Sequence, residues 1–464
     1  MTIAEELARR VAAATYEDLP EEAIYWAKVA LLDTLGVTLA GSQEDCARIV
    51  DTVLGTAPAP GPSLVLGRGR RAGALDAALI NGTASHALDY DDCSDTLGGH
   101  PSAPILPALL ALAEAEGATG RDVLVAYVVG WEVETAVSKA VNFEHYLKGW
   151  HPTATLGAFG AAAACAKLLR LPEDRTAVAL ALAASFAAGI KSNFGTMTKP
   201  LHVGQTTRNG LWAALLAREG FTANPMALEA KQGFFDVFNG PGKYDAAHMF
   251  DTWGRPWDIV SPGVSIKAYP CCGSTHSSID AMLELTRRHG LTPDNVAKVE
   301  TRVHLRRLLH TDRPQVDSVL AAKFSQQYVM ARALLNGEVI LEHFEGDAYR
   351  DPAVQALLPR FSAAAIDAKT DDGEPVMEGG QTDAEVTVTT TDGRTHFLHV
   401  ARPLGRGPDH PLPNDRLEAK FADCAARAIP GDAVPRVIAA VQNIDALPAI
   451  ADLTRLLEPA GGVA

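Results

Sequence analysis

Gly157-Ala158-Phe159-Gly160-Ala161-Ala162-Ala163-Ala164-Cys165-Ala166-Lys167-Leu168-Leu169 is the stretch that decides the fold. Alanine has the highest helix propensity, and its small side chain lets neighbouring helices approach closely. The same character extends to either side, in the alanine-rich runs 103–116 and 176–188. Nearer the start, Ala27, Leu31, Leu35 and Leu39 recur every fourth residue and stop at Gly41, an amphipathic helix with a glycine terminator. Strand signals are scarce as far as residue 259, so this part reads as one large all-helical domain.

The pattern changes near Pro262. A helix over 277–289 leads to an alternating segment, 297–308, with Val299, Thr301, Val303 and Leu305 on one side. Helices are expected at 324–335 and 352–358 and strands at 362–368 and 384–390, with Asp392-Gly393 closing a hairpin onto 395–401. Helical character returns at 413–428. The expected fold is therefore multidomain, a large all-α helical domain plus a smaller α+β lid domain. Residues 1–262 form the first part of the helical domain, 263–402 the lid, and 403–464 the return.

A length of 464 residues fits two or three domains. The net charge of −15 includes no basic cluster, which argues against nucleic acid as a partner. An anionic substrate would need a local positive pocket in this acidic chain. No stretch approaches the roughly 20 uninterrupted apolar residues of a membrane span. The start, Met1-Thr2-Ile3-Ala4-Glu5-Glu6, lacks the basic region and apolar run of a signal peptide, so a cytoplasmic protein is expected. The six cysteines include no Cys-x-x-Cys pair, and vicinal Cys271 and Cys272 lack the further thiolates an iron–sulfur cluster needs. Reduced, mostly buried thiols are the expectation. Glycine-rich nucleotide loops and a Gly-x-Ser-x-Gly elbow are missing from the sequence.

Two segments echo each other, His100-Pro101-Ser102-Ala103 and His151-Pro152-Thr153-Ala154, each ahead of a helical run. Proline suits a first helical position, which puts each histidine at a helix start beside backbone N–H groups and the positive dipole end. Thr198-Lys199-Pro200-Leu201-His202 leads into a helix expected over 205–219, and Ser274-Thr275-His276-Ser277-Ser278 opens another. Helix starts attract carboxylate or phosphate, and a lysine adds a full charge. A neutral imidazole there can act as a base or polarise a substrate oxygen. The alternative is a plain cap and turn at each site. Asp89-Tyr90-Asp91-Asp92 follows an expected helix over 75–88. If that helix persists, His86, Asp89 and Cys93 share a face, either as part of a site or as a solvated acidic end. Lys191, Lys199, Arg208 and Lys267 are candidate carboxylate clamps, and Tyr328 reads by default as a core tyrosine.

In order along the chain, Asn81-Gly82-Thr83-Ala84-Ser85-His86-Ala87-Leu88-Asp89-Tyr90-Asp91-Asp92, Gly99-His100-Pro101-Ser102, Gly149-Trp150-His151-Pro152-Thr153, Thr198-Lys199-Pro200-Leu201-His202 and Lys267-Ala268-Tyr269-Pro270 resemble the MmgE/PrpD family. That family contains 2-methylcitrate dehydratase, cis-aconitate decarboxylase and iminodisuccinate epimerase. The resemblance implies a homodimer with a pocket between helical domain and lid, and catalysis without metal or organic cofactor. It assigns catalysis to Asp89, His100, His151, Lys199, His276 and Tyr328, and substrate carboxylate binding to Lys199 and Lys267. Two departures stand out. Cys93 occupies the place where the family often has Thr or Ser. The run His100-Pro101-Ser102-Ala103-Pro104-Ile105-Leu106-Pro107 differs from the His-Pro-Ser-Asp-Asn-Leu-Gly-Gly of propionate-pathway dehydratases, which tells against 2-methylcitrate itself as substrate.

The expected activity is acid–base proton transfer at a carbon next to a carboxylate in a small di- or tricarboxylate. Dehydration, as in a cofactor-independent hydro-lyase, stands first, with iminodisuccinate-type epimerisation or cis-aconitate-type decarboxylation as alternatives. A non-catalytic carboxylate-binding protein is the reading from another class.

Overall fold

A computed structural model of the chain describes residues 1–366 and 382–459. The chain divides into two compact units, Met1–Ile266 with Asn414–Ala464, and Lys267–Pro413.

The alanine stretch forms the Gly157–Leu168 helix, in which every residue except Lys167 is buried. It lies against the Gly120–Val141 helix so closely that a Cβ on Gly130 would stand 2.8 Å from the Ala164 Cβ. The Thr198–Arg218 and Ala74–Ser85 helices meet in the same way, because a Cβ on Gly82 would stand 2.8 Å from the Thr207 Cβ. Small residues at these contacts bring backbones together that larger side chains would hold apart. The Glu21–Gly41 helix is long and apolar enough to cross a membrane by length and composition, but most of it is buried among its neighbours.

Two sequence expectations in this unit change. The helix expected over 75–88 stops at Ser85, with His86 as its C-cap, and Asp89 takes a left-handed φ of 55°. His86, Asp89 and Cys93 therefore do not share a helix face; buried His86 and partly buried Asp89 lie on a turn that leads into the Cys93–Ser94 strand. The helix expected from 205 begins at Thr198, so Lys199 and His202 lie within its first two turns. The unit also contains two short antiparallel ladders, Ser63–Val65 with Arg70–Ala72 and Cys93–Ser94 with Val264–Ser265.

The Asn414–Ala425 helix packs on Glu21–Gly41, with the Phe421 ring 3.1 Å from where a Gly36 Cβ would be. From it, the buried Lys420 ammonium reaches Asp33 Oδ1 at 2.6 Å and donates to the Tyr90 carbonyl at 2.9 Å. A helix late in the chain thereby holds the turn that follows His86.

The second unit is built on a four-stranded sheet in the order Phe361–Ala365, Val296–Val303, Ala384–Thr390, Thr395–Val400. The first pair is parallel, with Val299 opposite Phe361, and the others are antiparallel, with Thr301 opposite Val386 and Thr387 opposite Phe397. Strict alternation buries Ala384, Val386, Val388 and Thr390 on one face, which the His276–His289 helix covers. The alternating segment ends at Val303; Leu305–Thr311 is helical, with the His304 side chain capping it by accepting from Arg306 N at 3.3 Å. Gly393, at φ 85°, makes the hairpin turn expected of Asp392-Gly393. The last two residues of the strand expected over 362–368 lie outside the described residues.

Candidate active site

The first unit gathers the histidines of three separated motifs. His100 follows the turn after Ala74–Ser85 and precedes the Ser102–Glu116 helix. His151 caps the one-turn helix Pro152–Thr155, and its N–H donates to Gly189 O at 3.0 Å. The two His-Pro echoes meet directly, since His100 N–H donates to Thr153 Oγ1 at 3.1 Å. The His86 ring packs edge-on against His100 at 4.7 Å between centroids and lies 5.5 Å from His151, which is in turn 5.6 Å from His202.

The carboxylates divide the work among themselves. Asp89 Oδ1 receives the Lys199 ammonium at 2.7 Å and lies 3.8 Å from His100 Nε2. Asp91 Oδ2 lies 2.7 Å from His86 Nδ1 and 3.1 Å from His100 Nδ1. Asp92 turns the other way and accepts from the Ser102 hydroxyl, which also contacts Tyr127 OH at 2.6 Å; this ties the turn to the helix that follows. The Cys93 sulfur is 3.8 Å from His100 Nδ1. His86 Nε2, Asp91 Oδ1 and His151 Nδ1 are buried and make no hydrogen bond among the described residues, which is unusual for polar atoms outside a functional site.

Burial sets the charge states, except where Asp91 overrides it. Burial would push the Asp91 carboxyl up, but the imidazoles of His100 and His86 hold it well below the usual carboxylate range. Burial would likewise lower His100, yet the facing Asp91 charge, followed by Cys93, raises it to about 10. His86 goes the other way, to about 4, because burial outweighs Asp91 and the Lys199 charge adds to the lowering. Burial, followed by the charges of His86 and Lys199, lowers His151 well below its ordinary value. Around neutrality the cluster holds one imidazolium, His100, beside two neutral imidazoles.

His86 Nδ1, Asp91 Oδ2 and His100 Nδ1 lie close enough together to be considered as metal ligands. Two donor atoms on one tetrahedral metal stand roughly 3.3 Å apart, given metal–ligand bonds near 2.0–2.1 Å. The 2.7 Å contact from His86 to Asp91 is instead a hydrogen-bond distance.

The remaining sequence candidates have other recorded contacts. Lys191 sits 3.3 Å over the Tyr146 ring and donates to the Tyr146 carbonyl, and the Arg208 guanidinium is 6.0 Å from the Trp212 ring. In the second unit, Lys267 is buried, and His276 Nε2 lies 3.3 Å from the Cys271 carbonyl with its ring against Tyr269. Tyr328 is fully buried; its hydroxyl donates to the His343 carbonyl and receives Arg332 Nε at 3.1 Å, which is the placement of a core tyrosine. The sequence set His86 on one face with Asp89 and Cys93 and Asp91 in the acidic run, but gave neither residue a catalytic or binding role. The available signal was three aspartates within the four residues 89–92, soon after the apolar run Ala77-Ala78-Leu79-Ile80.

One imidazolium, two neutral imidazoles and an ammonium–carboxylate pair lie together in one buried cluster, a set of groups able to give and take protons. The chain belongs to the MmgE/PrpD family: the family's N-terminal domain matches residues 5–247 and its C-terminal domain residues 269–446. The C-terminal match continues past Pro413, where the second spatial unit ends, into the returning helices. The chain is 29% identical to the human protein named cis-aconitate decarboxylase, over 98% of this chain and 95% of that one. It is also 29% identical to a cis-aconitate decarboxylase-like protein, oryM, of Aspergillus oryzae, over 95% and 94%. A 2-methylcitrate dehydratase of Cupriavidus necator is 25% identical over 89% and 88%. The chain is an enzyme of the lyase type.

Proposed function

We propose that this lyase acts on a small polycarboxylate and that its reaction is a decarboxylation of the cis-aconitate type. One observation carries the reading: a proton-holding His100 and the Lys199 ammonium flank the same carboxylate, Asp89. Loss of carbon dioxide breaks a C–C bond and leaves its electron pair on carbon. A neighbouring double bond lets that pair spread onto a second substrate carboxylate, where Lys199 stabilises the growing charge. His100 then gives its proton to carbon, so one C–H bond forms, one proton is consumed and carbon dioxide leaves. The relatives named decarboxylase are more similar than the one named dehydratase, 29% against 25%, which moves decarboxylation ahead of the dehydration placed first from sequence.

Dehydration is the second reading, and neutral His151 favours it. A neutral imidazole is the base that would take a proton from carbon while His100 protonates the departing hydroxyl.

The test is incubation in deuterated water with cis-aconitate, 2-methylcitrate and iminodisuccinate separately, followed by NMR and carbon dioxide detection. The proposal expects carbon dioxide from cis-aconitate and one deuterium on the product carbon. Water loss from 2-methylcitrate alone establishes the dehydratase, exchange without net loss an epimerase, and binding without turnover of any acid a carboxylate-binding protein. On the true substrate, His100→Ala and Lys199→Ala each lower kcat by at least about 100-fold. The same assay with Lys267→Ala tests the carboxylate-binding role proposed for that lysine, the expected result being a raised KM.

A further inference from the structure

Asp91 touches neither Asp89 nor Lys199, yet both imidazoles nearest to it point the same nitrogen at one of its oxygens. An ionised carboxylate only accepts hydrogen bonds, so His86 Nδ1 at 2.7 Å and His100 Nδ1 at 3.1 Å must both carry hydrogen. That leaves Nε2 of His100 as the atom on the Asp89 side, 3.8 Å from Asp89 Oδ1. We infer that Asp91 is a positioning residue, held from behind by His86, which fixes the Nδ1–H form of His100 and aims its Nε2–H at the reacting carbon. The inference rests on His100 as the proton donor of the proposed reaction.

The geometry argues for a support rather than a second donor. Both Asp91 and His86 are buried, whereas the His100 side chain keeps 14% of its surface exposed. His86 sits at the C-cap of the Ala74–Ser85 helix, so its ring is tied to a rigid element. A carboxylate that accepts from two rigid imidazoles has little freedom to turn, and neither ring can flip without losing its partner. The charge balance agrees. His100 faces Asp89, Asp91 and Cys93 from its own turn, His86 from the preceding helix, His151 from the Pro152–Thr155 turn, and Lys199 from the Thr198–Arg218 helix. Against burial and the nearby Lys199 charge, Asp91 is the main contact that keeps a proton on His100, with Cys93 second.

Two measurements test this. In protein carrying 15N-labelled histidine, long-range 15N–1H NMR at pH 7.5 should show His86 as the Nδ1–H tautomer and His100 doubly protonated, and a His100 with hydrogen at Nδ1 alone, which has no Nε2–H to give, overturns the inference. An Nε2–H tautomer at either residue overturns the inference. This readout needs no substrate, so it stands even if the carboxylate-lyase reading fails. On the active enzyme, Asp91→Asn keeps an oxygen that can accept from both imidazoles but removes the charge that holds the proton on His100. It should lower kcat by about 100- to 10,000-fold with KM changed less than about threefold, and move the alkaline limb of the pH–rate profile down by more than about one unit. A wild-type pH profile with kcat within about threefold overturns the proposal. His86→Gln, whose amide can still donate to Asp91, should keep more activity than His86→Leu; equal loss in the two overturns the supporting role of His86. Should Asp91→Asn fail to fold, the tautomer measurement and the His86 pair decide.

Discussion

A buried imidazolium next to a buried carboxylate stabilises the folded state only while both charges persist. His100 titrates near 10 in the folded chain and near its ordinary value of 6.5 when unfolded. The folded state therefore binds the proton more tightly, and this contribution is fully present below pH 6.5 and disappears as pH rises through about 10. Urea unfolding between pH 6 and 10.5 should show stability falling over that window, and His100→Gln should flatten the fall. At Asp89 the backbone matters as much as the charge. The residue sits at φ 55°, which Asp and Asn tolerate and β-branched residues do not. Asp89→Asn should fold with near-normal stability but lose turnover, since the 2.7 Å pair with Lys199 is gone. Asp89→Val should in addition lose about 1–3 kcal/mol on denaturant unfolding. Asp89, His100, His151 and Lys199 were legible in the sequence because each sits in a short motif whose chemistry announces itself. His86 and Asp91 were not, because an expected helix running to 88 hid the turn that folds them onto His100.

Among the elements, the Gly120–Val141 and Gly157–Leu168 helices set the tightest test. Their close approach depends on glycine at the crossing, so Gly130→Ala, whose new methyl group would stand 2.8 Å from the Gly160 carbonyl, should cost about 1–3 kcal/mol by thermal or urea unfolding. The same interface buries Glu134, both of whose oxygens lack a hydrogen-bond partner among the described residues. Burial, followed by the Asp92 and Asp258 charges, raises its carboxyl well above the ordinary value of 4.5. The folded chain thus keeps this proton where the unfolded chain releases it, and stability declines as pH rises above 4.5. Glu134→Gln removes that penalty and should stabilise the protein by about 1–3 kcal/mol at pH 8, with the gain shrinking toward pH 5. The helices themselves were readable from alanine runs and glycine stops. The buried acids were not, since a glutamate in a helix pattern reads as solvent-facing until its neighbours are known.

At the level of the whole molecule, the first unit is assembled from two stretches separated by 147 residues of another unit, Lys267–Pro413. The change of character near Pro262 and the hairpin at Asp392-Gly393 made the interruption visible in the sequence. What periodicity did not show was the bond that closes it: Lys420 placed between Asp33 and the Tyr90 carbonyl, at 2.6 and 2.9 Å. Lys420→Met removes the ammonium that lies 2.6 Å from buried Asp33 and should cost about 3–5 kcal/mol in denaturant unfolding. Because Tyr90 adjoins Asp89 and Asp91, any molecules of the variant that fold should also turn over more slowly than wild type. This latch has a consequence for biosynthesis. A ribosome delivers Lys420 long after the histidines, so a nascent chain carries every proton-handling group in the cluster while the turn that aligns them is still unsecured. Proteolytic sensitivity around residue 90 should therefore persist through elongation and drop once the segment after Pro413 emerges.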